Sequence, residues 1–123
     1  MRSIKFRIWN NLDKVMLRDN QADLVLFLDG GIYSRFDKEF VSKENFILQQ
    51  FTGLLDKNGK EIYEGDILSW QHLQIANDLN PLEVIYHPPC FTVKNHFYPY
   101  CEWENSKVIG NVFENPDIKI RNY

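Results

Sequence analysis

Phe51-Thr52-Gly53-Leu54-Leu55-Asp56-Lys57-Asn58-Gly59-Lys60-Glu61-Ile62-Tyr63-Glu64-Gly65-Asp66-Ile67 is the stretch that decides the fold. Its Asn58-Gly59 pair is the strongest turn signal in the chain, because both residues tolerate the positive φ angles of a tight hairpin turn. Gly53, Gly59 and Gly65 fall six residues apart, at bends where a side chain could clash. Ile62 and Tyr63 are the large residues able to pin the connection to a core, and Asp66 can accept backbone N–H bonds in a turn. Asn-Gly-Lys here is no phosphate loop, since no helix follows with a Gly-Lys-Ser/Thr ending.

Working outward, the neighbouring segments read as short strands. Ile4, Phe6 and Ile8 alternate with Lys5, Arg7 and Trp9, a period of two in which Ile4, Phe6 and Ile8 form the buried face. Asn10-Asn11-Leu12-Asp13 is turn chemistry, and Val15-Met16-Leu17 can return as a second strand. Leu24 to Leu28 and Ile32-Tyr33 flank Asp29-Gly30-Gly31, a second hairpin signal. Ser42 can cap one short helix in the polar stretch between Asp37 and Asn45. Phe46 to Phe51 is extended, and Ile67 to Trp70 starts another strand. Gln71 to Pro81 is a polar excursion with some helical character. Pro88-Pro89 ends the strand Leu82 to Tyr86, and Phe91-Thr92-Val93 and Lys107 to Phe113 follow. The expectation is a mainly β (β-rich α+β) domain: a small curled sheet or SH3-like barrel of short antiparallel strands, with at most one or two short helices.

Composition fits one such domain. The chain has 123 residues, 44% hydrophobic and 25% charged, ordinary globular values that exclude a wholly disordered polymer. We expect a single domain over 1–123. It comprises a hairpin region at about 1–50, the signature and a barrel-like region at about 51–117, and a short tail, 118–123. No apolar run approaches the ~18 residues of a membrane span, and the N-terminus lacks a signal-peptide core. A net charge of −3 supplies no basic field for nucleic acid or anionic lipid. The implied setting is soluble and cytoplasmic, where Cys90 and Cys101 stay reduced.

The central stretch resembles the signature of the YopX-like proteins of phages and prophages. Ile4-Lys5-Phe6-Arg7-Ile8-Trp9 is similar to that family's opening strand, and Val108-Ile109-Gly110-Asn111-Val112-Phe113-Glu114-Asn115-Pro116 to its closing motif. The resemblance implies a β-rich protein of bacterial viruses working in the host cytoplasm, and it implies no reaction, cofactor or catalytic residue. Two features depart from the family pattern. His87-Pro88-Pro89-Cys90 stands where the family has a glycine turn, and the aromatic stretch Phe97 to Trp103 is peculiar to this chain.

The chemistry-bearing residues yield few constellations. His87, Cys90, His96 and Cys101 are zinc-compatible, yet H-x2-C, C-x5-H and H-x4-C do not match paired-ligand spacing, so no metal is expected. A Cys-His nucleophile would also need a base and an oxyanion site that sequence does not supply. Glu61, Glu64 and Asp66 crowd one loop, which suits a solvated turn better than a cation or acid/base pair. Asp117-Ile118-Lys119 has a nuclease-like look without a partner acid. No nucleophile elbow, dinucleotide fingerprint or HExxH is present. A non-enzymatic interaction module is therefore preferred, with a host or phage protein, or another copy of the chain, as partner. The alternative is a single-stranded nucleic-acid binder using Lys5, Arg7, Trp70, Tyr98, Tyr100 and Trp103. Thr52, Gly53, Asn58, Gly59, Ile62, Tyr63, Gly65 and Asp66 are read as a structural motif.

Overall fold

The computed structural model describes residues 3–18, 23–70, 81–93 and 103–119. These residues are mainly β, in antiparallel sheets, and their one helical element is a 3-10 turn at Trp103–Asn105. Contacts divide them into two compact units. One is Lys5–Gln50; the other holds the described residues from Phe51 onward, with Ser3 and Ile4.

In the first unit β1 (Phe6–Asn10) lies between β2 (Val15–Arg18) and the first half of β6 (Phe46–Leu55). Trp9 pairs with Met16 and Arg7 with Gln49, and all four side chains are buried. This reverses the expected faces of β1: Arg7 and Trp9 are each 4% exposed, whereas Ile4 and Phe6 are exposed. The indole carries more apolar area than an isoleucine. Arg7 follows it inside because its stem is apolar and its Nε donates to Gln49 Oε1 at 2.7 Å.

A separate small sheet in this unit has the order β3 (Leu24–Leu26), β4 (Ile32–Ser34), β5 (Glu39–Phe40). Asp29-Gly30-Gly31 makes the first turn, with Gly30 at φ +89° and Phe27 N–H bonded to Gly31 O at 2.7 Å. The short helix expected between Asp37 and Asn45 does not form. Ser42 Oγ accepts the Glu44 N–H, and Ser42 O accepts from Asn45 and Phe46, but the turn stops there. No apolar residue recurs at helical spacing in that stretch to bury a face, and a single turn does not propagate unaided.

In the second unit the rest of β6 pairs with β7 (Glu61–Tyr63). A four-stranded sheet follows in the order β10 (Cys90–Val93), β9 (Leu82–His87), β8 (Asp66–Ser69), β11 (Lys107–Asn111). Register shifts between Phe51 and Leu55 in β6 and between Val108 and Gly110 in β11 are bulges that bend their strands, which curls the sheets. Strand β11 ends at Asn111 rather than at Phe113, because the Asn111 side chain turns the chain there. Its Oδ1 accepts the N–H groups of Phe113 and Glu114. The core is Ile62, Leu68, Trp70, Leu82, Val84, Val93 and Val108, with Trp103 packed against it.

Candidate functional site

The signature segment supplies candidate residues from both flanks of two turns. At the first turn Asp56 is buried, and its carboxylate is occupied by main chain. Oδ1 accepts Asn58 N at 2.8 Å and Lys60 N at 2.9 Å, while Oδ2 accepts Val108 N at 2.9 Å. Burial alone would push this carboxyl up. The three backbone donors outweigh it, helped by the charge of Lys60, and hold it below the ordinary aspartate value of 3.8. Gly59 completes the turn at φ +80°, with its N–H on Asp56 O at 3.0 Å.

Thr52 and Gly53 belong to the bulge of β6. Gly53 has φ +88°, and Thr52 Oγ1 donates to Ile62 O at 2.8 Å, bridging the strands where the ladder shifts register. Phe51 and Tyr63 pair across the same strands, with ring centroids 5.5 Å apart. Ile62 points the other way, into the core.

The second turn is held by Asp66, fully buried, whose Oδ2 accepts Tyr63 N at 2.8 Å. Gly65 is a junction of three segments. Its N–H donates to Val84 O at 2.8 Å, and its carbonyl accepts from Val112 N at 2.9 Å. The Phe113 ring lies so close that a Cβ on Gly65 would stand 2.8 Å from it. Thr52, Asp56 and Asp66 thus spend side-chain oxygens on backbone. Among the described residues no buried side-chain nitrogen or oxygen lacks a partner, and no group of three His, Cys, Asp or Glu could hold a metal ion.

His87 and Cys90 face each other as paired residues across the turn at Pro88-Pro89, whose peptide is cis, and both are exposed. Their proposed companions His96 and Cys101 lie outside the described residues, as do Tyr98 and Tyr100, most of the aromatic stretch Phe97 to Trp103, and the excursion after Trp70. Of the basic and aromatic surface read from sequence, Lys5 is exposed and Trp103 half-buried, but Trp70 is only 5% exposed and Arg7 is inside β1. A stacking platform needs open ring faces, and the Trp70 ring lies in the core instead.

The surface that sequence reading missed is the outer side of the β3–β4–β5 sheet. Ile32 and Ser34 of β4 are buried, so Tyr33, with its cross-strand partners Val25 and Phe40, takes the opposite face. Phe40 packs on Tyr33 at 5.3 Å and on Phe27 at 5.2 Å between ring centroids. Phe27, Phe40 and, in the adjoining turns, Leu28 and Phe36 are exposed. The available signal was that Ile32-Tyr33-Ser34 sets apolar residues on both sides of one strand.

Comparison with known proteins agrees with this architecture. The crystal structure of protein EF1440 from Enterococcus faecalis is similar with a TM-score of 0.68 and 28% identity, over 95% of this chain and 98% of that one. The crystal structure of YopX from Bacillus subtilis has the same fold at a TM-score of 0.62 and 18% identity, over 98% of this chain and 100% of that one. A comparison with curated proteins finds no match. The profile of the family described as YopX protein matches residues 5–118, from the first strand through the turn after β11, and the chain therefore belongs to the YopX family.

Proposed function

We propose that this protein is a phage- or prophage-encoded accessory protein that works in the host cytoplasm as a non-enzymatic module binding another protein. The observation that carries this reading is the outer face of the β3–β4–β5 sheet. A sheet with one face on the core ordinarily shows polar residues on the other, and here that face presents Tyr33, Phe40 and Phe27. Exposed apolar groups gathered in one place mark interaction surfaces, and aromatic residues are enriched in interface cores. The signature segment supports the non-enzymatic half of the reading, because Thr52, Asp56 and Asp66 hold backbone. Among the described residues no helix is long and apolar enough to cross a membrane.

Affinity capture from host extract, with and without nuclease, tests this function. A protein should be retained whether or not nuclease is added, and the Phe36→Ser variant should lose it. Capture that disappears with nuclease would instead favour the single-stranded nucleic-acid reading. Turnover of any substrate that vanishes in Glu64→Gln would make the signature segment an active site.

A further inference from the structure

We infer that Asn58-Gly59 is a site of spontaneous deamidation, and that the hydrogen-bonded turn around it, built on Asp56, sets how fast the reaction runs. Asn58 is the one asparagine in the chain followed by glycine. With no Cβ on the next residue, the main chain there is least hindered in folding back on the carboxamide. Asn58 is exposed, and among the described residues no hydrogen bond holds its side-chain amide. A Cβ built on Gly59 would meet nothing within 4 Å, so the turn is open to water. The Gly59 nitrogen loses its proton to a base in the solvent and attacks Asn58 Cγ. The new N–C bond closes a cyclic imide as the carboxamide C–N bond breaks, and ammonia leaves and takes up a proton. Water then adds to either imide carbonyl and reopens the ring. Residue 58 becomes aspartate or, where the main chain is rerouted through the side chain, isoaspartate. In sum, one amide and one water give one carboxylate and one ammonium ion.

In the folded chain the nucleophile is occupied. The Gly59 N–H donates to Asp56 O at 3.0 Å, which commits both its proton and the orientation of its peptide. That bond belongs to a set spanning the turn. Asp56 Oδ1 holds the N–H groups of Asn58 and Lys60, and Asp56 N donates to Lys60 O at 2.8 Å. Lys57 N on Ser106 O at 2.8 Å, and Val108 N on Asp56 Oδ2 at 2.9 Å, fasten the turn to the start of β11. Attack therefore waits for a local opening, and its rate is the reactivity of the open turn multiplied by the open population. Isoaspartate adds a methylene to the main chain inside this turn, and either product sets a new negative charge two residues from the Asp56 carboxylate. The reaction is thus a one-way loosening of the β6–β7 turn from β11.

The test follows residue 58 by peptide mass spectrometry while the purified full chain is held at mildly alkaline pH. Conversion of the amide to the acid should run at least about tenfold more slowly in the folded parent than in the same chain unfolded in guanidinium. Asp56→Asn should raise the folded rate at least about fivefold. Met16→Ala opens a cavity at a buried position of the other compact unit and should leave the rate within about twofold of the parent. If either variant loses the parent's circular dichroism spectrum, hydrogen exchange of the parent decides instead. Protection of the Gly59 N–H should then match the slowing of deamidation to within about threefold. The inference is overturned by equal rates in the folded and unfolded chain, or by an Asn58 that survives unfolding unchanged. It is also overturned by equal acceleration in Met16→Ala and Asp56→Asn, or by a Gly59 N–H that exchanges without protection.

Discussion

Gly65 concentrates more constraint than any other single position in the signature. Its φ of +84° is a region that β-branched residues resist, and the Phe113 ring occupies the space a Cβ would need. Gly65→Val should therefore cost about 1–3 kcal/mol from backbone strain, with the displaced ring adding to it. Its neighbour Glu64 is half-buried at the same bend, and replacing its carboxylate with the isosteric amide changes little of the packing. Glu64→Gln should stay within about 0.5 kcal/mol of the parent. Thermal melting of the two variants side by side checks the pair. Equal melting temperatures would contradict the structural role given to Gly65.

Between elements, the same device recurs. Asn10, Ser34 and Asn111 each accept the N–H three residues on and bond an acid at that position, Asp13, Asp37 and Glu114. The first bond is that of a capping box, but the acid here accepts from the side chain rather than from the backbone N–H, and the pair closes a turn between strands rather than opening a helix. Asp56 goes further and ties the β6–β7 turn to β11 through Val108, across 52 residues of sequence. Its folded pKa is depressed, so its contribution to stability is complete above the unfolded value of 3.8 and is lost as pH falls through the folded value. Asp56→Asn should cost about 1–3 kcal/mol at neutral pH, because the amide nitrogen cannot accept a backbone N–H. It should also flatten the acid limb of stability below about pH 4. Denaturant unfolding at several pH values reads both effects. An acid limb unchanged in Asp56→Asn would show that other carboxylates govern it.

At the scale of the molecule, β6 is one strand whose first residues pair with β1 and whose last pair with β7, so residues of both compact units lie on it. One cooperative transition is therefore expected for the whole chain, as for a single domain. Calorimetric and van't Hoff enthalpies should agree, and two resolved peaks would count against it. Much of the local structure was legible in the residues. Asn58-Gly59 and Asp29-Gly30-Gly31 dictate turns through their own φ preferences, and strand-sized apolar runs between such turns leave little room for helix. The faces of β1 were not legible, because alternation gives the period and leaves open which set faces inward. Arg7 lies inside with its Nε on Gln49, which stands opposite it only once β1 and β6 have paired. The outer aromatic face was hidden for the same reason, since Tyr33 and Phe40 are far from unusual until the sheet pairs them. By itself, then, the sequence determined the β class, the turns and the family motifs, all set by propensities acting over a few residues. Only the tertiary structure decided why the central and closing motifs occur together. Asp56 on Val108, Gly65 on Val112 and under Phe113, and β8 paired with β11 are contacts between distant segments. Local preference cannot encode such contacts, because their partners meet only when the sheet closes.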